Sequence, residues 1–420
     1  MPLNLASPGI VVREVDLTIG RVDPTSGSIG ALVAPFEKGP VDEPQLIESE
    51  EDLLQTFGQP YSVDKHYEHW LVASSYLAYG GTLQVVRADD HNTLTGVGLT
   101  NAFVGTASSI RIKSDTHYNQ LGYDENTIAG VTVVAKNPGT WANGIKVAII
   151  DGKADQTLTV NAASVTVGTA VTEAISKTVG TSEGTSTIDG YLKGVVTGST
   201  STTVDVKVIS HVSAAGTETN VDYQQNGVYT FSATGTVGLT TAGQAVTATG
   251  QSATVTAQKD WFEQQDITLS VGKLEWDQLA DAPGTSAYAA ARGGRNDEVH
   301  VVVIDDKGTV TGNAGTILEK HLSLSKAKDA EYSVGSTSYW RKYLATNSKY
   351  IYGGSAPAGI TTTGYSTSST NTLDADSGWD QDADSVNFGA SGVVTGTLEK
   401  GANYGSKTDL TTTGALSSGL

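Results

Sequence analysis

The stretch from Ala280 to Glu331 gives the strongest signal of a buried core in this chain, and the spacing of its apolar positions changes along it. A short helix is predicted through Ala291, capped by Thr285 or Ser286 and ended by Gly293-Gly294, because glycine accepts the left-handed conformation common at helix C-termini. Glu298–Ile304 is a nearly continuous β-branched run, typical of a strand buried on both faces. After a turn at 305–308, the pattern from Gly312 to about Ala330 predicts a second helix, with its apolar face formed by Ile317, Leu318, Leu322 and Leu324. The stretch therefore predicts an α/β core.

A similar pattern occurs nearer the N-terminus. Ser28–Ala34 is a candidate buried strand, and Ser49 followed by Glu50 to Asp52 predicts a helix start that Phe57-Gly58 ends. Residues 64–79 predict an amphipathic helix, and 83–88 predict the strand that follows it. The predicted apolar stripe of that helix comprises Tyr67, Trp70, Leu71, Ser74, Leu77 and Ala78.

The pattern of apolar and turn-forming residues changes between Asp89 and about Lys259. Short Val/Thr/Ala runs alternate with Gly, Ser and Asn turns, for example at 157–167, 203–212 and 246–257, and this spacing predicts an all-β module. The aromatic stretch Tyr339–Tyr352 predicts a strand or helix edge. Beyond Gly353 the chain is rich in Ser, Thr, Gly and Asp, which predicts a long surface segment rather than a core.

Composition narrows the function classes. The 420 residues suffice for two or more domains, and the 48 glycines favour turn-rich β structure. The net charge of −19 makes direct binding to nucleic acid or an anionic membrane unfavourable. Cysteine is absent, which excludes disulfides and thiolate chemistry. The N-terminus lacks a secretory signal pattern and no stretch approaches the length of a membrane span, so a protein made in a cytoplasm is expected.

Four groups of residues could form chemical sites, but a structural role explains each of them better. His66 and His69 could share a helix face, but a third metal ligand is not apparent. The spacing of the acidic run 374–384 does not fit a calcium loop, although Asp374, Asp376, Asp380, Asp382 and Asp384 supply carboxylates. Lys307-Gly308-Thr309 reverses the order of a phosphate loop and indicates a turn. Glu298 and His300 share a strand face, where a polar pair at a strand end or interface is favoured over a catalytic pair. We therefore expect no catalytic, metal or cofactor site and no enzymatic activity.

Several motifs resemble one known family. P-G-T-S-x-Y-A, G-G-x-N-D-E-x-H-V-V-V-x-D and L-S-K-A-x-D-A occur in order within Ala280–Glu331, and D-L-x-x-x-F-G-x-P begins at Asp52. Asn137–Asp151 also contains a turn-and-strand element, with Ala142 where the family has glycine. Together these motifs resemble the tail sheath proteins of contractile-tailed bacteriophages.

The resemblance implies an α+β multidomain fold, with an α/β core built from discontinuous segments and an inserted β-rich domain that faces outward. The expected organisation is a linking arm at 1–20, core at 21–90 and 259–353, a β-rich region at 91–258 with the insertion itself at about 155–258, and a surface segment at 354–420. The family's further C-terminal region is expected to be missing. The S-P-G-I-V-V-R-E-V-D motif would form the arm that adds a strand to a neighbouring subunit, through Ile10, Val11, Val12, Arg13, Glu14 and Val15.

The implied function is structural. Copies would polymerise around a tail tube, contact baseplate and tail terminator proteins, and contract to drive the tube through the host envelope during genome ejection. The protein would belong to the virion after assembly in the host cytoplasm, without direct nucleic-acid contact, membrane insertion or cofactor. The alternatives are a sheath of a bacterial contractile injection or secretion system, and a β-rich adhesin or glycan-binding module.

Overall fold

The computed structural model describes residues 29–60, 67–89, 98–161, 165–181, 184–240, 251–360 and 378–404. The fold is mixed α+β, with more strands than helices and several separate sheets. The described residues divide into two compact units, the first within 29–98 together with Tyr404 and the second within 99–403. None of the described helices is long and apolar enough to cross a membrane.

The first unit is a two-layer α/β structure. Its elements are β1 (Ile29–Ala34), β2 (Gln45–Ile47), α1 (Glu50–Phe57), α2 (Tyr67–Ala78) and β3 (Thr82–Arg87). Strand β3 is central, parallel to β1 and antiparallel to β2. The Ser49 side chain accepts a hydrogen bond from the Asp52 amide at 3.1 Å, so the predicted helix start is confirmed. The predicted strand at β3 is confirmed as well.

Two details of this unit differ from prediction. The β1 strand exists, but it is buried on one side only, because Ile29 is 64% exposed and Val33 44% exposed. In α2, Trp70 and Leu77 are buried as expected, whereas Leu71 is 48% exposed. Strand β1 is buried on one side only because α1 and α2 both cover the same face of the sheet. Residues 64–66 of the predicted helix lie outside the described part of the chain.

The second unit contains the remaining elements. The helices are α3 (Asp115–Gln120), α4 (Ala287–Ala290) and α5 (Trp340–Asn347). The strands are β4 (Phe103–Gly105), β5 (Val131–Ala135), β6 (Ile145–Asp151), β7 (Gln156–Val160), β8 (Ala170–Thr181), β9 (Gly184–Ser199), β10 (Thr203–Ser213), β11 (Glu218–Asn220), β12 (Gly235–Thr240), β13 (Gln251–Asp260), β14 (Asp266–Leu269), β15 (Gly272–Glu275), β16 (Glu298–Asp305), β17 (Thr316–Ser325), β18 (Glu331–Ser333), β19 (Ser336–Thr337), β20 (Ile351–Gly353) and β21 (Val393–Thr397).

Strands β7 to β13 form one antiparallel sheet in the order β11-β10-β7-β13-β12-β8-β9. An additional pairing between β9 and β10 closes six of these strands into a barrel, whose interior contains Leu158, Leu192 and Phe231. The strand-rich character predicted for this region is confirmed for these elements. The sequence prediction missed α3, a short helix capped by Ser114 that lies before the sheet.

A four-stranded antiparallel sheet, ordered β17-β16-β6-β21, forms the centre of the second unit. Strand β16 is buried on both faces, as predicted. Val301 and Val303 face a cluster that includes Trp340, whereas Val302 and Ile304 face a cluster that includes Trp276. Alternating residues of this strand therefore belong to two different cores.

The helix predicted from Gly312 to about Ala330 is wrong, because this segment forms strand β17. Its backbone pairs with β16, for example Lys320 opposite Val302 and Glu319 opposite Val303. The polar groups along that edge of the buried strand β16 need partners, and the turn at 305–315 brings the chain back antiparallel to it. Sheet hydrogen bonding therefore overrides the local helical spacing of apolar residues.

The interpretation of 354–420 as a surface segment is wrong for residues 378–404. Strand β21 pairs with β6 in the central sheet, and four apolar side chains nearby are buried: Trp379, Ala383, Phe388 and Leu398. The other edge of β6 required a backbone partner, and a Ser/Gly-rich segment can supply one without long apolar runs. The aromatic stretch Tyr339–Tyr352 contains a bridge between Tyr339 and Ser325, helix α5 and the start of β20, with Trp340 fully buried.

Candidate functional site

Motifs that are distant in the sequence meet at one buried carboxylate. Asp297, from the G-G-x-N-D-E motif, is fully buried. It accepts hydrogen bonds from the backbone amide and hydroxyl of Ser286, at 2.8 and 2.7 Å, and from the hydroxyl of Ser325. Ser286 also caps α4 by accepting from the Ala289 amide at 3.1 Å, so the predicted cap is confirmed. Asp297 thus joins the P-G-T-S and L-S-K-A motifs.

A buried ion pair extends this network. The Lys326 ammonium lies 3.1 Å from the Asp151 carboxylate, and both side chains are almost completely inaccessible. Lys326 also donates to the carbonyls of Asn296 and Gly389, at 3.1 and 2.9 Å. Burial lowers the pKa of Lys326, while the Asp151 carboxylate opposes that shift. Asp151 in turn accepts from the amides of Ser391 and Gly392 at 2.8 and 2.6 Å, so the network reaches the segment before β21.

A second ion pair lies at the edge of the seven-stranded sheet, between β10 and the residue directly before β7. Lys207 of β10 lies 2.7 Å from the buried Asp155 carboxylate, which also accepts from the Val208 amide. Burial raises the pKa of Asp155, although Lys207 and that amide oppose the change. Nearby, Arg295 donates to the Val221 carbonyl and to Asp222 at 2.8 and 2.6 Å. Arg295 therefore links the residues that follow β11 to the motif region.

The residues considered as catalytic or phosphate-binding candidates have structural partners. Glu298 accepts from the Gly284 amide at 2.8 Å. Buried His300 donates to the Asp281 carbonyl and accepts from the Ser323 amide, both at 2.9 Å. Asp305 accepts from the amides of Val310 and Thr311, which closes the turn predicted at Lys307-Gly308-Thr309.

The described carboxylates of the acidic run 374–384 contact different partners and do not converge on one site. Asp380 accepts from the Tyr339 hydroxyl at 2.6 Å, and Asp382 lies 3.6 Å from Lys328. Burial, reinforced by the Asp380 carboxylate, raises the pKa of Tyr339. Among the described residues, no group of three or more His, Asp or Glu side chains is placed to hold a metal ion. Asp374, Asp376 and His66 lie outside the described residues, as does the proposed arm from Ile10 to Val15.

Sequence reasoning missed the ion pair between Asp151 and Lys326. Asp151 directly follows the apolar run Val147–Ile150, and Lys326 directly follows Leu324-Ser325. A charge directly after an apolar run was the available signal. Its partner could not be identified, because 174 intervening residues separate the two positions and the pairing depends on the sheet order.

Glu319 provides a pH-dependent test of the strand assigned to β17. Burial favours a higher pKa for Glu319, but hydrogen bonds from His321, Ser348 and the Lys349 amide outweigh it and hold the pKa below 4.5. Because the folded-state pKa is depressed, the stabilisation is present above about pH 4.5 and is lost as pH falls through the folded-state value. We expect acidification from pH 6 to pH 3.5 to cost the parent about 1 kcal/mol more than Glu319→Gln, since solvent partly screens this carboxylate.

Urea unfolding at the two pH values measures this difference. Glu331→Gln, at an exposed position of β18, is the control and should show the same acid sensitivity as the parent. An identical acid response of the parent and Glu319→Gln would contradict the assigned contacts.

The fold and the site together define a class of protein: a strand-rich α+β protein in which the central polar residues of the motifs, Asp297 and Lys326, are buried. Comparison with curated proteins agrees with this class. The chain is 36% identical over 91 residues to the tail sheath protein of Enterobacteria phage T4, and 36% identical over 93 residues to that of Vibrio phage KVP40. Each alignment covers 22% of this chain and 13% of the relative. No family model matches the chain. The resemblance to phage tail sheath proteins is thus confirmed by curated relatives over that part of the sequence.

Proposed function

We propose that this chain is a structural subunit of a contractile phage tail sheath. Its copies polymerise around the tail tube, and contraction drives the tube through the host envelope for genome ejection. The similarity to two phage tail sheath proteins carries this proposal. The interior position of Asp297 and Lys326 supports it, because the shared-motif residues stabilise a fold and are inaccessible to a substrate. The protein is accordingly assigned no enzymatic role.

The proposed domain organisation is a sheath core assembled from discontinuous segments, with an outward-facing β-rich insertion. The central sheet supports this view, because its strands come from 145–151, 298–305, 316–325 and 393–397. The strands of the seven-stranded sheet lie between the first two of these segments, at 156–260. Residues 1–20 are proposed as the linking arm.

Contraction requires links that survive while other interfaces change. Backbone strand pairing meets this requirement, since it depends little on side chains, and the apolar run from Ile10 to Val15 suits strand addition to a neighbouring copy. The free energy for contraction would come from the difference between two packings of the same subunit, without nucleotide hydrolysis. The partners are other sheath copies, the tube, and the baseplate and terminator proteins. The sheath is assembled in the host cytoplasm and becomes part of the virion.

The net charge of −19 supports a location away from nucleic acid and outside the membrane, because both surfaces are anionic. The subunit is therefore proposed to contact neither directly. Its function would depend on protein–protein interfaces alone.

Deletion of residues 1–20 tests the arm. We expect the parent to form hollow striated tubes in electron micrographs, and the deletion variant to stay folded but form none, because the links between copies are removed. Circular dichroism and thermal melting should be unchanged. A double variant, Ile10→Asp with Val12→Asp, should reproduce the loss at full chain length, and Val334→Asp, at a fully exposed position, is the control. Normal tubes from the deletion variant would refute the arm assignment.

A further inference from the structure

Lys326 and Asp151 lie at the ends of the two strands that flank the buried strand β16. Asp151 is the last residue of β6 and pairs with Val299, and Lys326 directly follows β17, whose last residue, Ser325, pairs with Glu298. The Lys326 Nζ atom lies 3.1 Å from Asp151 Oδ2, and the exposed fractions of the two side chains are 0% and 1%. A primary amine and a carboxyl group are therefore held in contact inside the protein, away from solvent.

The contacts of the Lys326 nitrogen determine how a neutral amine would be oriented there. Besides Asp151 Oδ2, Nζ lies 3.1 Å from the Asn296 carbonyl oxygen and 2.9 Å from the Gly389 carbonyl oxygen. Carbonyl oxygens only accept hydrogen bonds, so both N–H bonds of a neutral amine would point at these two atoms. The lone pair of the nitrogen is then left facing the Asp151 carboxyl group.

The buried environment makes this neutral form accessible. Removal of the ammonium group from water lowers the pKa of Lys326, and this is the largest effect. The carboxylates of Asp151 and Asp297 oppose the change, whereas the charge of Lys207 adds to it. Transfer of one proton from Nζ to Asp151 Oδ2 converts the ion pair into an amine and a carboxylic acid, and a low-dielectric interior favours uncharged groups. A desolvated neutral lysine is a nucleophile.

The Asp151 carboxyl group is polarised for attack by such a nucleophile. The Gly392 amide donates to Oδ1 at 2.6 Å, and the Ser391 amide donates to Oδ2 at 2.8 Å. Amides in these positions stabilise the negative charge that develops on carboxyl oxygens when a nucleophile adds, as in an oxyanion hole. The Ser391 hydroxyl is buried and has no hydrogen-bond partner among the described residues, so it is available to a released water molecule.

We propose that Lys326 and Asp151 condense to form an isopeptide bond within the chain. The lone pair of Nζ attacks Asp151 Cγ, so that a bond forms between Nζ and Cγ while the bond between Cγ and Oδ2 breaks. Oδ2 leaves as water, with the proton it received from Nζ and a second proton that Nζ releases as the amide forms. Oδ1 becomes the carbonyl oxygen of the amide and keeps the hydrogen bond from the Gly392 amide. The step requires no oxidant and no nucleotide, because water is its only by-product.

The bond would join the two neighbours of β16 covalently. It links the end of β6 to the end of β17 and closes a loop with 174 intervening residues, which contain the whole seven-stranded sheet. Closing so long a loop restricts the unfolded chain, so the cross-linked protein should resist unfolding more than the ion-paired one. The reaction occurs once in each molecule and involves no turnover. The inference goes beyond the proposed sheath function and does not depend on it.

Mass spectrometry of the purified full chain tests the proposal. After incubation at neutral pH, most molecules of the folded parent are expected to be one water molecule lighter than their sequence. A tryptic digest should contain a branched peptide in which Lys326 is joined to Asp151, because trypsin does not cleave after an acylated lysine. A succinimide at an aspartate also removes one water, but hydroxylamine opens a succinimide and leaves an isopeptide bond intact.

Three variants separate the reaction from the ion pair. Lys326→Arg keeps a positive charge beside Asp151 but supplies no neutral nucleophile, because arginine stays protonated, so it should have its full mass. Lys328→Arg makes the same change in the solvent-exposed pair with Asp382 and should keep the deficit of one water molecule. Asp151→Asn should lose ammonia instead of water, because the amide nitrogen then leaves in place of Oδ2.

Three results would overturn the inference: a folded parent of full mass, a deficit of one water molecule that persists in Lys326→Arg, or a branched peptide that joins other residues. Circular dichroism establishes that each protein is folded. If Lys326→Arg does not fold, the digest of the parent decides alone, because it identifies the joined residues directly. A parent that forms tubes at full mass would refute only the isopeptide bond, whereas a cross-linked parent that never forms tubes would refute only the sheath function.

Discussion

Val302→Asp is expected to unfold the central sheet of the second unit. Val302 is fully buried in the middle of β16, and its side chain faces the cluster that contains Trp276 and Ile304. An aspartate there has no ionic partner in that cluster, so it would be buried either as an unpaired charge or as a protonated acid without hydrogen bonds. We expect a loss of at least about 4 kcal/mol in the free energy of unfolding.

Urea unfolding followed by circular dichroism measures this loss. Val334→Asp is the matched control, because the same change at a fully exposed position should alter stability by less than about 0.5 kcal/mol. A Val302→Asp protein that is soluble and melts cooperatively near the parental temperature would show that β16 is not enclosed by two cores.

Lys326→Met is expected to cost about 3–5 kcal/mol, because it leaves the buried Asp151 carboxylate without its cation. Methionine fills a similar volume, so the loss reports the charge rather than a cavity. The neighbouring Asp297 also loses a nearby positive charge, which adds to the destabilisation. Urea unfolding gives the size of the effect.

Two further variants isolate the ion pair. Lys328→Met lies two residues away in a solvent-exposed pair with Asp382, and should change stability by less than about 1 kcal/mol. The double variant Asp151→Asn with Lys326→Met should recover part of the loss, since it removes the unpaired charge. Equal effects of Lys326→Met and Lys328→Met would contradict the buried network.

Local signals predicted several elements correctly. Ser49 and the acidic residues after it specify the start of α1, and Ser286 specifies that of α4, because caps act within a few residues of themselves. The β-branched run at Val299–Ile304 predicted a strand buried on both faces. Short Val/Thr runs likewise predicted β7, β10 and β13, since β propensity and turn residues are local properties.

The predictions of secondary structure were wrong where pairing with residues far away in the sequence determines the conformation of a segment. The spacing of Ile317, Leu318, Leu322 and Leu324 fits a helix, yet pairing with β16 makes this segment a strand. Residues 378–404 lack long apolar runs, but β21 completes the central sheet beside β6. Backbone hydrogen-bond demand at a sheet edge is invisible in the sequence of the segment that satisfies it.

The sequence by itself determined the acidic, cysteine-free character of the chain, the starts of α1 and α4, the buried strand β16 and the resemblance to phage sheath proteins. Only the tertiary structure decided that the motifs converge on Asp297, that Lys326 pairs with Asp151, and which face of the first sheet α1 and α2 cover. Caps, turns and apolar runs depend on neighbouring residues and can be recognised locally. Ion pairs and exposed faces depend on strand order and on which elements pack together, and the whole chain fixes these at once.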